Sequence, residues 1–480
     1  MINYLIRNIY KTQSLKIILI TILLWFSVGT KIKLNSDIIS IDFFNNLRFL
    51  IPFIILLFFI YVKEKYIELR YLKIFIFIIF ISYLLGYLNF YILNEELVKI
   101  FKSDNYLIHK GYVPNKLRDL LTIFYFIVTF LILSKLNENE LKLVNVTNIL
   151  LVFLLTLITL FLAYKEFVLS NKAYLYYTTF LVDGEIANVS TIRSLGLGRN
   201  LLIIIIPSIL YLFLSNKQIK FKFFIYIILI FLISNLFQLQ SRLSIYSFYL
   251  FILVILSFLI HRKNYKNILV LISLFLIIPN IFSFSIPYIK GLLIDEKIDT
   301  RARVYTLNPN NLQLVQDKTF LNKPKIEGKN IINIDEKIDK AYEYSNIYSS
   351  GRVDLWNKTL DIFTESNNYN KKFFGFGPYS DRYFIKESMS NSILYVLLSG
   401  GLIGLVGIIL LYLITIKRIA YGLLNNNFEN DYVSISCIFI IFFLFLRSLV
   451  ENSFVVFGTD HIIFISCVIY IFIKKPNKQT

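Results

Sequence analysis

Residues 391–416 read NSILYVLLSGGLIGLVGIILLYLITI, without a charged side chain. A helix needs about 20 apolar residues to cross a hydrocarbon core, and this run exceeds that. Inside lipid no water can satisfy N–H and C=O groups, so the segment must bond within itself as a helix. A membrane strand would alternate polar and apolar residues, and this run does not. Similar runs lie near 15–29, 48–62, 72–93, 118–134, 146–164, 200–215, 222–240, 243–260, 267–285, 432–450 and 455–473. The expected fold is therefore all-α, a polytopic membrane helix bundle of about 12 transmembrane helices. Composition agrees: 56% of residues are hydrophobic and only 17% charged, too apolar for a chain that must hide its surface from water.

One long polar stretch, 286–390, separates spans one to nine (1–285) from spans ten to twelve (391–480). Within it, 350–363 predicts an amphipathic helix. Ser349 or Ser350 can cap it, and Val353, Trp356, Leu360 and Phe363 recur at helical spacing. Phe374-Gly375-Phe376-Gly377-Pro378 follows, where two glycines permit a tight turn. The lysines and arginines of the short loops are best retained in the cytoplasm with both termini inside, which puts the long loop outside, in the periplasm or its equivalent. The first run follows Arg7, Lys11 and Lys16 without a small-residue cleavage site and reads as an uncleaved span.

The net charge of +19 does not indicate nucleic-acid binding, because the cations are scattered over short loops and form no stripe. Topological retention and anionic lipid head groups account for it better. Cys437 and Cys467 fall inside spans and read as small core residues. His109, His261 and His461 have no zinc-ligand spacing, and no nucleotide-binding fingerprint is present, so neither a metal nor a cofactor is expected.

Arginines at the outer ends of spans are the main chemical signal. Arg193 precedes Gly196, Gly198, Arg199 and Asn200; Arg242 follows Ser241 in the corner between spans seven and eight; Arg447 ends span eleven. A guanidinium stays charged and presents a fork of donors that suits phosphate. Singly, each can snorkel to the interface. Arg193 and Arg242 together read as a cradle for a diphosphate, and the glycines beside Arg193 would let backbone approach a ligand. Outer carboxylates, among them Asp183, Glu185, Asp381, Glu387 and Glu451, are the candidate general bases. Glu451, one turn from Arg447, reads as its ion-pair partner.

The ordered segments SGRVDLWNKTLDIF (350–363), FFGFGPY (373–379) and SNSILYVLLSGGLIGLVG (390–407) resemble the O-antigen polymerase and O-antigen ligase superfamily. Arg193-Ser-Leu-Gly-Leu197 with Asn200 resembles that family's arginine motif, and Gln240-Ser241-Arg242 its Ser-Arg corner. The resemblance covers about 190–410 and implies an all-helical membrane glycosyltransferase of the bacterial inner membrane. Its substrate would be an undecaprenyl-diphosphate-linked oligosaccharide, with membrane lipid and a chain-length regulator as further partners. It implies that Arg193 and Arg242 contact the diphosphate, that Arg352 with Trp356 holds the loop or the substrate, and that Asn391 lies near the site's mouth. Asp183 or Glu185 would take the acceptor's proton; Arg199, Asn200 and Arg447 would join the substrate contacts. Ligases carry a histidine one or two residues before the position of Asn391. Met389 and Ser390 stand there in this chain, which favours a polymerase over a ligase; a flippase of the same lipid-linked unit is the reading from another class.

Overall fold

The computed structural model describes residues 12–28, 50–59, 66–105, 107, 113–169, 175, 194–214, 222–239, 241–261, 263–293, 352–365, 369–386, 389, 391–425, 428, 431–451, 455 and 457–474. Among these, every regular element is helical. In chain order they are α1 (Thr12–Val28), α2 (Ile51–Phe59), α3 (Arg70–Tyr91), α4 (Glu95–Ser103), α5 (Lys116–Ser134), α6 (Glu138–Leu169), α7 (Ser194–Leu214), α8 (Lys222–Gln238) and α9 (Arg242–His261). Then come α10 (Tyr265–Leu271), which runs through a π-helical stretch (Ile272–Ile277) into α11 (Ile278–Leu293), α12 (Arg352–Glu365), α13 (Tyr369–Phe374), α14 (Ser380–Phe384), α15 (Ser392–Leu424), α16 (Tyr432–Ser448) and α17 (Thr459–Ile473).

Seven stretches among the described residues are long and apolar enough to cross a membrane: α3, α5, most of α6, most of α7, α9, the α10–α11 run and α15. Several long apolar helices make this a multi-pass membrane protein. Parts of α1 and α8, and all of α16 and α17, are apolar but shorter, and α2 has 9 residues, so the expected count of twelve is not established. Most of the polar stretch falls outside the described residues. The amphipathic helix expected at 350–363 is α12, at Arg352–Glu365.

The chain divides into two compact units. The first comprises residues 1–155, 203–220 and 355–480; the second comprises 156–202 and 221–354. At the centre of the first unit α3 packs along α15. The Gly400-Gly401 pair breaks α15: Gly401 has φ 62°, ψ −159°. That conformation is open only to a residue without Cβ, and it frees carbonyls that the helix would otherwise use. Leu398 O accepts from Phe376 N at 2.9 Å and Ser399 O from Gly377 N at 2.8 Å. The Phe374–Gly377 turn is thus bonded into the helix break, and Asn89 Nδ2 on α3 donates to Gly375 O at 2.9 Å.

Polar side chains tie the rest of the unit together. Trp25 Nε1 donates to Asn148 Oδ1 (2.8 Å), Asn148 Nδ2 to Ser466 Oγ (3.0 Å) and Ser466 Oγ to Asn145 Oδ1 (2.8 Å), which links α1, α6 and α17. Satisfied amides of this kind join helices in an apolar medium, at about 1 kcal/mol each. Cys437 and Cys467 are free and buried, as expected of core residues.

At the end of the unit where α15 terminates, Asp431 caps α16 and gathers cations. It receives Lys474 Nζ at 2.9 Å and Tyr470 OH at 2.8 Å, and Lys142 Nζ lies 3.5 Å away. Burial alone would raise the Asp431 carboxyl, but Lys142 and Lys474 outweigh it and hold the group well below the usual range. A carboxyl depressed on folding stabilises above its unfolded value, about 3.9, and that contribution fades as pH falls through the folded value. Asp431→Asn should therefore lower the Tm of the detergent-solubilised protein at pH 7 by several degrees, worth about 2 kcal/mol. The gap between variant and wild type should begin to narrow below about pH 4 and close only as pH falls through the folded value. An equal gap at pH 7 and pH 3 would refute the ion-pair account.

Candidate functional site

The second unit collects helix ends at one pole. Lys290, near the end of α11, donates to Phe167 O near the end of α6 at 2.5 Å. Gln238, the last residue of α8, donates to Ser283 O at 2.5 Å and receives Leu175 N at 3.4 Å. The start of α7 joins them through glycine: a Cβ on Gly198 would lie 2.9 Å from Ser244 Oγ and 3.0 Å from Ser241 Cβ. Only a residue lacking that carbon lets α7 approach the corner ahead of α9 so closely. Ser241 O accepts from Ile245 N at 2.9 Å, and Ser241 Oγ donates to Ser244 Oγ at 3.0 Å.

Two helix N-termini, those of α7 and α9, are thereby set side by side. Each carries about half a positive charge and unpaired N–H groups, the ordinary makings of an anion site. Arg242 opens α9 and Arg199 stands on the second turn of α7, both half-buried. Arg199 Nε donates to Asn200 Oδ1 at 2.9 Å. Asn200 is 2% exposed, and its Nδ2 has no hydrogen-bond partner among the described residues. A buried amide donor left unmatched costs about 1–3 kcal/mol, so it marks a place where an acceptor is wanted. Arg193, Asp183 and Glu185 lie outside the described residues.

In the first unit, Asn391 is the N-cap of α15. Its Oδ1 accepts from Ile393 N at 2.8 Å and Leu394 N at 3.1 Å, and its Nδ2 donates to Leu449 O at 2.9 Å. Arg447 is 7% exposed and lies between two carboxylates, with Nη2 3.1 Å from Glu451 Oε2 and Nη1 3.6 Å from Asp460 Oδ2. The pairing with Glu451 is the one the sequence predicts. Ser392 Oγ donates to Glu451 O at 2.8 Å, which binds the start of α15 to the end of α16. Arg352 opens α12, and Trp356 on the same helix has a buried Nε1 without a partner among the described residues.

At the same pole of this unit, beside the candidate carboxylate Asp381, stands a cluster around Asp119 that sequence reasoning did not single out. Asp119 is fully buried and takes hydrogen bonds from Tyr91 OH (2.6 Å), Tyr383 OH and Arg118 Nε (2.9 Å). Arg118 Nη2 also donates to Tyr383 OH at 2.8 Å. Burial first, then the Asp119 charge, pushes the Tyr383 hydroxyl far above its ordinary range, so it stays protonated and bridges the pair. Asp381 is buried and accepts from Met389 N at 2.7 Å; burial pushes its carboxyl up against the pull of Arg382. Arg118 falls at the expected start of span four, and an arginine there was the available signal. Its partner Tyr383 is too distant in sequence for any spacing rule to reveal.

Among the described residues no group of three or more His, Cys, Asp and Glu is placed to hold a metal ion. No protein-family model matches the chain, and no curated protein matches it.

Proposed function

We propose that the chain is a membrane glycosyltransferase that polymerises lipid-linked glycan repeat units of the O-antigen or exopolysaccharide kind. The donor is a glycan on undecaprenyl diphosphate, the acceptor is the terminal sugar of a second lipid-linked unit, and the reaction runs on the outer face of the inner membrane. The observation that carries this reading is the Gly198–Ser241 approach, which brings the second turn of α7, with Arg199, against the N-terminus of α9, with Arg242. Fixed N–H dipoles and guanidinium forks suit a leaving diphosphate, whose charge grows as the bond to the sugar breaks.

In the proposed step the acceptor hydroxyl oxygen bonds to the anomeric carbon, and the bond from that carbon to the diphosphate oxygen breaks. The hydroxyl proton passes to a base, for which Asp183 and Glu185 are the sequence candidates, and the lipid diphosphate departs. A single displacement inverts the anomeric centre. The sugar–diphosphate bond already stores the energy, so no nucleotide, metal or cofactor is required. A chain-length regulator would act as a partner.

Deletion of the gene followed by glycan gel electrophoresis tests the reading. The expected result is loss of the ladder with a single repeat unit retained on its final acceptor. Complete loss of attached glycan would replace the polymerase with a ligase or flippase, and an unchanged ladder would overturn the reading altogether.

A further inference from the structure

Ile74, Phe77, Ile81 and Leu88 are exposed on α3 at spacings of three, four and seven residues, a single stripe along a helix long and apolar enough to cross a membrane. Ile92, four residues past Leu88, carries the stripe beyond the last residue of α3, and Leu93 follows it, both more than half exposed. The lipid-facing surface thus continues where the span stops. We infer that α4 and α13 of the first unit are interfacial helices, which lie at the membrane surface where α3 ends and have lipid as the partner of their exposed apolar edges. The inference needs only the membrane character of the chain and stands apart from the polymerase reading.

With 9 residues α4 is far too short to cross a bilayer, and only Ile92, Leu93 and Asn94 separate it from the span. Its sequence is amphipathic. At 100° per residue Leu97, Val98, Ile100 and Phe101 share one half of the helix, and Glu95, Glu96, Lys99, Lys102 and Ser103 the other. The two glutamates stand in its first turn and Lys102 in its last, the arrangement the helix dipole favours. The apolar half is divided between two neighbours. Val98 is buried, and the Phe101 ring centroid lies 5.1 Å from that of Phe384 and 6.2 Å from that of Phe90, which docks α4 on the unit. Asp104, just past its end, holds Lys386 at 2.7 Å and fastens it further. Ile100, at the other edge of the same half, is left 63% exposed. Such a helix, apolar on one side and charged on the other beside the end of a span, suits the boundary between acyl chains and head groups.

α13 meets the same end of α3. A Cβ on Gly86 would lie 2.7 Å from Phe374 O, the last residue of α13, and Gly86 stands five residues before the end of α3, about 8 Å at the usual helical rise. Its carbonyl end is therefore set at a level the span already occupies. Tyr369 and Phe373, one turn apart, form one edge of α13 and are 78% and 48% exposed. Aromatic rings collect at this level of a bilayer, where the ring meets acyl chains and a tyrosine hydroxyl reaches water. Lys371 and Lys372 beside them are half-buried, and their stems are long enough to bring the ammonium groups to the head groups. Water over Ile92, Leu93, Ile100, Tyr369 and Phe373 would leave large apolar side chains bare in direct continuation of a lipid-facing stripe. A protein partner there would have to displace lipid from the end of α3 as well.

The test places one spin label at a time on the full-length protein in nanodiscs of phosphatidylethanolamine and phosphatidylglycerol, through Ile100→Cys, Phe373→Cys and, on the polar half of α4, Lys99→Cys. The native Cys437 and Cys467 are buried, and labelled wild type supplies the background. All three positions are exposed, so the substitutions leave packing alone; an unchanged elution volume and Tm show that each variant is folded. Collision with oxygen, which concentrates in lipid, is compared with collision with a water-soluble nickel chelate. Labels at 100 and 373 are expected to favour oxygen, at a depth of about 5–10 Å past the head-group boundary, and the label at 99 to favour nickel. Nickel access at 100 and 373 equal to that at 99 would put both edges in water and overturn the inference. Shielding of 100 and 373 from both reagents would mean that protein covers them, a second copy included, and would overturn it equally. None of these outcomes depends on whether the chain polymerises glycans.

Discussion

Arg242→Ala is expected to abolish the glycan ladder and slow chain extension by about a hundredfold or more, in protein that still inserts in the membrane. Removal of one fixed donor from a site that stabilises developing charge commonly costs that much. Arg242 is the first residue of α9 and half-buried, so its charge adds to the positive end of that helix. Ser241, fully buried, and Gly198 hold the corner in place independently of the arginine, and the substitution should leave the packing intact. Arg242→Lys separates charge from geometry: it keeps the cation and loses the bidentate fork, and should fall between wild type and alanine, at about a tenfold loss. The measurement is a gel of surface glycan from a deletion strain that carries each variant, with membrane levels checked by immunoblot. Normal ladders from both variants at wild-type levels would remove Arg242 from the site.

The helical membrane character was legible in the sequence because it follows from length and apolarity alone. Residues 391–416 read as a span and are helical, and 350–363 read as a helix that is found at 352–365. The Ser241–Arg242 corner was visible because two apolar runs meet there with almost no spacer. The break at Gly401 was not visible: Leu397 to Leu405 contains no charged side chain, and hydropathy registers side chains, not the carbonyls that Phe376 and Gly377 claim. The Arg118–Asp119–Tyr383 cluster was hidden for a related reason. Its members come from α5 and α14, and only the tertiary fold makes them neighbours. The number of spans was not legible, since α16 and α17, with 17 and 15 residues, sit below the usual crossing length.

Gly86→Ala should prove severely damaging to the first unit. A Cβ at Gly86 would collide with Ser399 O and stand 2.6 Å from Gly377 N and 2.7 Å from Phe374 O. All three are backbone atoms, and Gly377 N and Ser399 O are bonded to each other at 2.8 Å. No rotamer change can relieve such a contact. Either α3 moves away from α15, or the turn leaves the helix break and gives up its hydrogen bonds. The first choice forfeits packing along the unit's central helix pair; the second leaves carbonyls at the Gly401 break without donors, in an environment where water is scarce. A cost of about 3 kcal/mol or more follows, at the upper end of what overpacking usually produces. Gly407→Ala provides the control on the same helix pair. Its Cβ would meet Ile79 Cγ1 at 2.8 Å and Ile78 Cγ2 at 3.2 Å, side-chain atoms that can shift, where Gly86 meets backbone. Monodisperse yield and Tm in detergent should therefore fall sharply for Gly86→Ala and only slightly for Gly407→Ala. The reverse order of damage between the two glycines would mean that the turn is not seated in the break of α15.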